Sequence, residues 1–96
     1  MPDGSPEPIG GRGARPEADA PRVVVLVRSG CHLCDNAEHD IATVCQELNV
    51  PWQAVDVDAV PDLRARYGDH VPVTFVDGAQ FAIWFLDPGA LRAALA

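Results

Sequence analysis

The chain has 96 residues, a length that fits one domain. Apolar residues make up 48 % of it, which is typical of a globular protein and too high for a chain disordered throughout. Fourteen acids and seven arginines, with no lysine, give a formal charge of −7. Because binders of nucleic acids and anionic membranes need basic surfaces to displace counterions, this balance argues against both kinds of partner. No apolar run approaches the roughly 20 residues that span a bilayer. Three Cys are too few, and odd in number, for a disulfide-scaffold miniprotein.

The first residues have the composition of a disordered tail. Pro and Gly occupy nine of positions 1–21, and the large apolar side chains there are Met1 and Ile9. Such a segment buries too little surface to offset its chain entropy, so we interpret 1–21 as a tail and 22–96 as the folded domain. The tail also lacks the apolar stretch of a signal peptide. We therefore expect a cytoplasmic protein with reduced thiols.

A strand and a long helix are predicted first in the domain. Residues 22–27 are β-branched and apolar on both faces, which is typical of a central strand covered on both sides. Ser29 and Gly30 end it. A helix of about 18 residues follows, ending at a cap on Asn49, because apolar residues recur at helical spacing. Those residues are Leu33, Ala37, Ile41, Val44, Cys45 and Leu48.

The remaining elements are shorter. Residues 52–57 and 73–76 are predicted strands, and 61–67 a short helix that starts at a proline. Asp77-Gly78 is a strong two-residue hairpin signal, so 80–86 is predicted to return as a further strand.

Asp87 and Pro88 are suited to cap and start a last helix, with a buried stripe of Leu91, Ala94 and Leu95. The resulting order is strand, helix, strand, helix, hairpin, helix. It predicts an α/β fold with one four-stranded mixed sheet, a parallel right-handed opening unit and helices on both faces.

The motif with the clearest chemistry is Cys31-His32-Leu33-Cys34, at the start of the first helix. A C-x-x-C beside a strand–helix–strand pattern in a cytosolic chain is typical of a redox dithiol. Free backbone N–H groups and the helix dipole favour an anion at the first Cys. We therefore predict Cys31 as a thiolate nucleophile and Cys34 as the resolving thiol. Arg28 and His32 are expected to add positive potential.

A C-x-x-C can also be half of a zinc site, and such a site usually needs four ligands. A second Cys or His pair is missing, and the spare candidates are Cys45, His39 and His70. Cys45 falls on the apolar stripe and is expected to be a core thiol. His39 falls on the polar side of the helix, and His70 is either a loop residue or lies near the dithiol. No metal site is predicted, but a metal or iron–sulfur carrier stays the first alternative.

Val71 and Pro72 directly precede the third predicted strand. A proline lacks an N–H to donate and is tolerated at a strand start. In a cis form it would turn this loop toward Cys31, so that the Val71 backbone could pair with an extended substrate. A trans loop proline is the commoner case on sequence alone.

A second alternative is a protein-binding module that keeps the fold. Its candidate surface is the last strand, where Trp84 lies opposite Phe81, Ile83 and Phe85. Since a strand that is apolar on both faces is usually covered by helices, we expect this one to be buried.

Taken together, the chain resembles glutaredoxins of the thioredoxin-fold superfamily, and more closely the small bacterial glutaredoxin-like proteins once catalogued as a domain of unknown function. The resemblance spans 22–96 and rests on four pieces: residues 23–34, Asp56, Val71-Pro72 and the hairpin at 75–78. It implies a thioredoxin-like fold and a thiol–disulfide oxidoreductase. Cys31 would be the nucleophile, Cys34 the resolving thiol and Pro72 a cis-proline.

The predicted substrate-binding positions are Arg28, His32, Val71 and Pro72. His32 and Val71 follow from charge and backbone pairing, while the resemblance implies Pro72 and places Arg28 where many glutaredoxins carry Lys. Substrates would be disulfide-bearing proteins or mixed disulfides, and the protein would be a monomer without a bound cofactor. Glutathione or mycothiol is the expected reductant, with a reductase as the other option. Mycothiol is considered because a lysine-free chain rich in Ala, Val and Arg is typical of GC-rich bacteria, and such cells often use mycothiol as their low-molecular-weight thiol. The chain departs from glutaredoxins at His32-Leu33, where Pro-Tyr is common, and at 82–87, which lacks the usual Gly pair.

Overall fold

The computed structural model describes residues 21–96, so the predicted tail lies outside the described residues except for Pro21. The secondary structure follows the predicted order, with a short 3₁₀ turn after the second strand. The elements are β1 (Val23–Val27), α1 (His32–Leu48), β2 (Trp52–Asp56), the 3₁₀ turn (Val57–Ala59), α2 (Pro61–Tyr67), β3 (Val73–Val76), β4 (Ala79–Ile83) and α3 (Pro88–Leu95). None of these helices combines the length and the apolar character needed to cross a bilayer.

The four strands form one sheet in the order β2-β1-β3-β4. β1 pairs in parallel with β2, while β3 pairs antiparallel with both β1 and β4. The mixed four-stranded sheet is therefore confirmed. β1 is an interior strand, as its continuous apolar run predicts.

Helices cover both faces of the sheet, as predicted. On one face, Val23 and Val25 of β1 pack against α1 and α3. On the other face, Leu26, Val57 and Val73 pack against the side of α2 that carries Leu63 and Tyr67. The alternation of side chains along a strand explains why a single strand contributes to both clusters. The predicted helical stripe fills the first cluster from Ala37 to Leu48, including the buried Cys45, but its first predicted member, Leu33, is exposed. In α3, Leu91 and Leu95 are buried as predicted, whereas Ala94 is exposed.

The register brings four chain segments to one end of the sheet. The last residues of β1 pair with the end of β2 and the start of β3, through Val27–Asp56 and Leu26–Val73. Val73 in turn pairs with Ile83, the last residue of β4. The segment that follows β1 and carries the dithiol therefore lies at the same end of the sheet as the Val71–Pro72 loop.

The hairpin between β3 and β4 is the turn that the sequence predicts. Asp77 and Gly78 both have positive φ, 52° and 86°, which is the backbone of a type I′ turn. Arg22 donates to both carboxylate oxygens of Asp77 at 2.9 Å and holds the pKa of that carboxyl below its usual value. The turn is thereby tied to the residue before β1.

The last strand is shorter than predicted, and the expectation that it is buried is wrong. β4 ends at Ile83 rather than continuing to Leu86, because Trp84 adopts φ 66° and leaves the extended region. Trp84 and Phe85 are 47 % and 74 % exposed, so no helix covers this part of the chain. The apolar run from 81 to 86 is thus the end of the edge strand β4, which is half-buried, followed by two exposed aromatic residues.

The positive φ at Trp84 gives a stability test. A left-handed backbone costs an L-residue about 1–2 kcal/mol, whereas glycine adopts it freely. Both Trp84→Gly and Trp84→Ala remove the indole, and we expect Trp84→Gly to be the more stable by about 1 kcal/mol in urea unfolding. Ala82→Gly, inside β4, is the matched control and should lower stability by about 0.5–1 kcal/mol. Equal stability of the two Trp84 variants would contradict the backbone geometry.

Candidate active site

The Cys31 thiol caps the N-terminus of α1. Its backbone is extended, at φ −102° and ψ 108°, and its Sγ accepts a hydrogen bond from the Cys34 N–H at 3.1 Å. Gly30, with φ 74°, makes the turn between β1 and this cap. The sulfur therefore occupies the position where a helix leaves N–H groups unpaired and where its dipole favours negative charge. Cys31 is partly exposed, so a substrate sulfur can reach it.

Cys34 lies one turn further on and is almost fully buried, with 1 % of its surface exposed. Burial raises the pKa of its thiol to about 12, and the hydrogen bond with the Cys31 thiol and the Cys31 charge act in the same direction. The backbone of Arg28 acts against this shift. Both cysteines are free in this structure, and the raised pKa of Cys34 favours its thiol form.

Cys45 is the third free cysteine and lies in the hydrophobic core, as predicted, with burial raising the pKa of its thiol. His39 is exposed, which confirms the expectation of a solvated side chain. Among residues 21–96, no group of three His, Cys, Asp or Glu side chains is arranged to hold a metal ion.

Arg28 links three segments around the dithiol. Its guanidinium binds the two carboxylate oxygens of Asp58 at 3.1 and 3.2 Å, and its Nη1 donates to the Gly68 carbonyl at 3.2 Å. The β1–α1 connection is thereby joined to the 3₁₀ turn and to the loop before β3. The charge of Arg28 is paired with Asp58, and the substrate-binding role expected of Arg28 stays a prediction. Sequence spacing gives no sign of Asp58, because 30 residues separate it from Arg28.

The other predicted positions lie around this end of the sheet. His32 is exposed in the first turn of α1. Val71 is half-buried and packs on the cluster beneath α2, while Pro72 is buried and follows a cis peptide bond, as the resemblance implies. His70 is an exposed loop residue whose ring stacks on Trp84, with centroids 6.0 Å apart. Trp84 is not among the site residues predicted for the oxidoreductase, although it belongs to the surface named for the binding-module alternative, and the lack of the usual Gly pair in its stretch is a signal that this part of the site differs.

The fold and the dithiol define a thioredoxin-fold protein of the glutaredoxin-like class. Residues 22–96 match the family described as Glutaredoxin-like domain (DUF836), and the chain belongs to this family.

Relatives agree with this assignment. The protein Rv0508 of Mycobacterium tuberculosis is 36 % identical over 81 residues, which cover 79 % of this chain and 84 % of that protein. The X-ray structure of XcR50 from X. campestris is 31 % identical, with a TM-score of 0.63 over 76 % of this chain and 93 % of XcR50. A mutant thioredoxin from Halobacterium salinarum is 26 % identical, with a TM-score of 0.56 over 81 % of this chain and 75 % of that one.

The environments of the three thiols predict selective alkylation. At about pH 8 we expect iodoacetamide to modify Cys31 alone, because Cys34 and Cys45 are buried and their raised pKa values keep them protonated. Since a raised pKa favours the thiol up to higher pH, modification of Cys34 should begin only as the pH rises toward about 12. Peptide mapping by mass spectrometry identifies the modified residue. In urea all three should react, and equal labelling of Cys34 in the folded protein would contradict the geometry.

The Arg28 contacts predict a local effect on the loop before β3. Arg28→Met keeps the aliphatic stem but removes the bonds to Asp58 and Gly68. For a half-exposed bidentate pair the loss is about 1 kcal/mol, which corresponds to about fivefold faster exchange of nearby amides. The His70 amide, which donates to the Tyr67 carbonyl at 2.8 Å, reports this by NMR hydrogen exchange. Arg92→Met, which breaks the similar Arg92–Glu47 pair elsewhere, should leave that amide unchanged.

Proposed function

We propose that this protein is a thiol–disulfide oxidoreductase that reduces protein or mixed disulfides through Cys31 and Cys34. The observation that carries the proposal is the pairing of a partly exposed Cys31 sulfur at the helix N-cap with the buried Cys34 thiol, while the backbone N–H of Cys34 donates to the Cys31 sulfur. A pair of thiols with only a structural role needs neither the exposure of one sulfur nor a difference in burial between the two sulfurs.

The first step uses the exposed sulfur. The Cys31 thiolate attacks one sulfur of the substrate disulfide, so that a Cys31–substrate S–S bond forms and the substrate S–S bond breaks. The other substrate sulfur leaves with the electron pair and takes a proton from water. Backbone N–H groups at the start of α1 stabilise the attacking anion, and Cys34 supplies the one that contacts it.

The second step uses the buried thiol. While Cys31 is a free thiolate, its charge and its hydrogen bond help to keep Cys34 protonated. In the mixed disulfide the charge on Cys31 is gone, so Cys34 loses its proton more readily. Cys34 then attacks the Cys31 sulfur, a Cys31–Cys34 disulfide forms, and the substrate leaves as a thiolate. Two electrons pass from the dithiol to the substrate, and a low-molecular-weight thiol such as glutathione or mycothiol, or a reductase, restores them.

Four neighbouring positions are proposed to face the substrate: Arg28, His32, Val71 and Pro72. What supports this is that β1 and β3 bring their segments to the dithiol end of the sheet. Arg28 would act chiefly by fixing the loop at Gly68. In the proposed role the protein acts as a monomer in the reducing cytoplasm.

The alternative of a metal or iron–sulfur carrier is less well supported by the donor set. The dithiol supplies two sulfur ligands, whereas a structural zinc site takes four. Within residues 21–96 no third side chain of suitable type joins them. Cys45 lies in the core cluster between α1 and the sheet.

Single substitutions test the two proposed roles. With bis(2-hydroxyethyl) disulfide as substrate and excess reductant, Cys31→Ser should lower turnover by at least about 100-fold, because the attacking sulfur is lost. Incubated with the same disulfide without added reductant, Cys34→Ser should instead accumulate the mixed disulfide on Cys31, visible as added mass that dithiothreitol then removes. Full turnover by Cys31→Ser would exclude the mechanism.

Cys45→Ala is the matched control, since it also removes one thiol from the same helix. We expect wild-type turnover and some loss of stability, because the contacts of the buried sulfur disappear. If Cys45→Ala abolished turnover in a folded protein, the third thiol would belong to the redox cycle.

A further inference from the structure

We infer that Trp84, His70 and Asp69 form a docking surface beside the dithiol for a cationic segment of a disulfide-bearing protein. The inference rests on the proposed oxidoreductase function and specifies its class of substrate. These three residues together are termed the aromatic platform.

The platform is held together by contacts between the turn after β4 and the loop before β3. The Trp84 backbone N–H donates to the Pro72 carbonyl at 2.8 Å, and its indole Nε1 makes a longer bond of 3.4 Å to the Asp69 carbonyl. The rings of His70 and Trp84 are nearly parallel, with an interplanar angle of 13°. These contacts fix the indole in one orientation while leaving nearly half of it exposed.

The same loop is attached to the dithiol from the other side. The Arg28 guanidinium donates to the Gly68 carbonyl, directly before Asp69. Arg28 itself lies three residues before Cys31, in the connection between β1 and α1 that leads into the dithiol. Contacts therefore join the segment that leads into the dithiol, through Arg28 and the loop, to Trp84. The platform lies at the same end of the sheet as Cys31, because the end of β4 pairs with the start of β3 and that start pairs with the end of β1.

The conformation of Trp84 argues for a role at the surface. A bulky residue with positive φ costs stability, and such residues concentrate at binding and active sites. This cost would be offset in a core by burial, but Trp84 and its neighbour Phe85 are both exposed. Adjacent exposed aromatics next to a reactive group are typical of an interaction surface.

The charge around the aromatic platform favours a cationic binding partner. Residues 21–96 contain ten acids and five arginines. Three of these arginines, Arg22, Arg28 and Arg92, are paired with carboxylates, and the other two, Arg64 and Arg66, are exposed on α2. Near the dithiol, Glu38 is close enough to raise the pKa of Cys34, and Asp35 and Asp69 are exposed. An indole face attracts Arg and Lys side chains, and the acidic surroundings favour the same charge. A cationic protein segment fits this site better than an anionic small thiol.

Binding can be measured without turnover. The chain has two tryptophans, so Trp52→Phe leaves Trp84 as the single indole fluorophore. Two peptides are titrated into this variant, each with Ser in place of the substrate Cys. They are identical except at the position two residues from that Ser, which is Arg in one peptide and Glu in the other. We expect saturable quenching by the Arg peptide, with at least about fivefold tighter binding than the Glu peptide. Equal binding, or no binding of the Arg peptide, overturns the inference. If Trp52→Phe fails to fold, calorimetry compares wild type with Trp84→Gly, and equal affinities overturn it.

Turnover separates the docking surface from the chemistry. The substrates are the disulfide forms of both peptides, together with bis(2-hydroxyethyl) disulfide, which is small and neutral. We expect wild type to favour the Arg peptide at least about fivefold in kcat/KM. Trp84→Gly should remove this preference through KM, while turnover of the small disulfide changes less than about twofold. Val60→Ala, at another exposed apolar side chain, is the matched control and should keep the preference.

The two proposals fail in different ways. If wild type shows no preference for the Arg peptide, or if Trp84→Gly affects all three substrates equally, the docking surface is overturned but the oxidoreductase proposal is intact. Arg-selective binding without reduction of any disulfide supports the docking surface and overturns the proposed chemistry.

Discussion

The hydrogen bond from the Cys34 N–H to the Cys31 sulfur is the interaction on which the site depends. Helices are usually capped by Ser, Thr, Asp or Asn, whose oxygens accept N–H groups at the first turn. Here a sulfur takes that place. A neutral thiol is a weak acceptor and a thiolate is a strong one, so the cap and the anion stabilise each other. In the proposed mechanism, attack by Cys31 on a disulfide would weaken both at once. The structure of the helix start and the proposed reactivity of the thiol thus depend on the same hydrogen bond.

The sheet determines what surrounds this cap. β1 is interior, and both of its neighbours present a chain end beside the dithiol: the end of β2 leads to Asp58, and the start of β3 follows Pro72. Arg28 joins these two segments because its guanidinium can bind Asp58 and Gly68 at the same time. A lysine at this position would have one nitrogen and could not reproduce the planar, three-bond arrangement. The loop before β3 is thus fixed by the residue that leads into the dithiol.

Local patterns explain which features the sequence could predict. The helical stripe through Ile41 and the turn at Asp77-Gly78 each depend on a few neighbouring residues, and both lie where predicted. The Cys31 cap was predictable because the break at Gly30 fixes where the helix begins. The Arg28–Asp58 pair was not, since only the folded sheet brings those residues together. The exposure of Trp84 could not be predicted because an apolar run has the same composition whether a helix covers it or not.

Trp84 is the position where local preference and the observed conformation conflict. A β-forming aromatic residue adopts a left-handed backbone and is left half in solvent. In most proteins such conflicts occur where function outweighs stability. The position of this one supports that explanation: the strand ends one residue earlier, opposite the first residue of β3, and the Trp84 N–H binds the carbonyl of Pro72. If β4 continued to Leu86, the Trp84 side chain would project from one face of the sheet. Because the strand stops at Ile83, the Trp84 ring instead contacts Asp69 and His70. Arg28 joins this loop to the segment that leads into the dithiol.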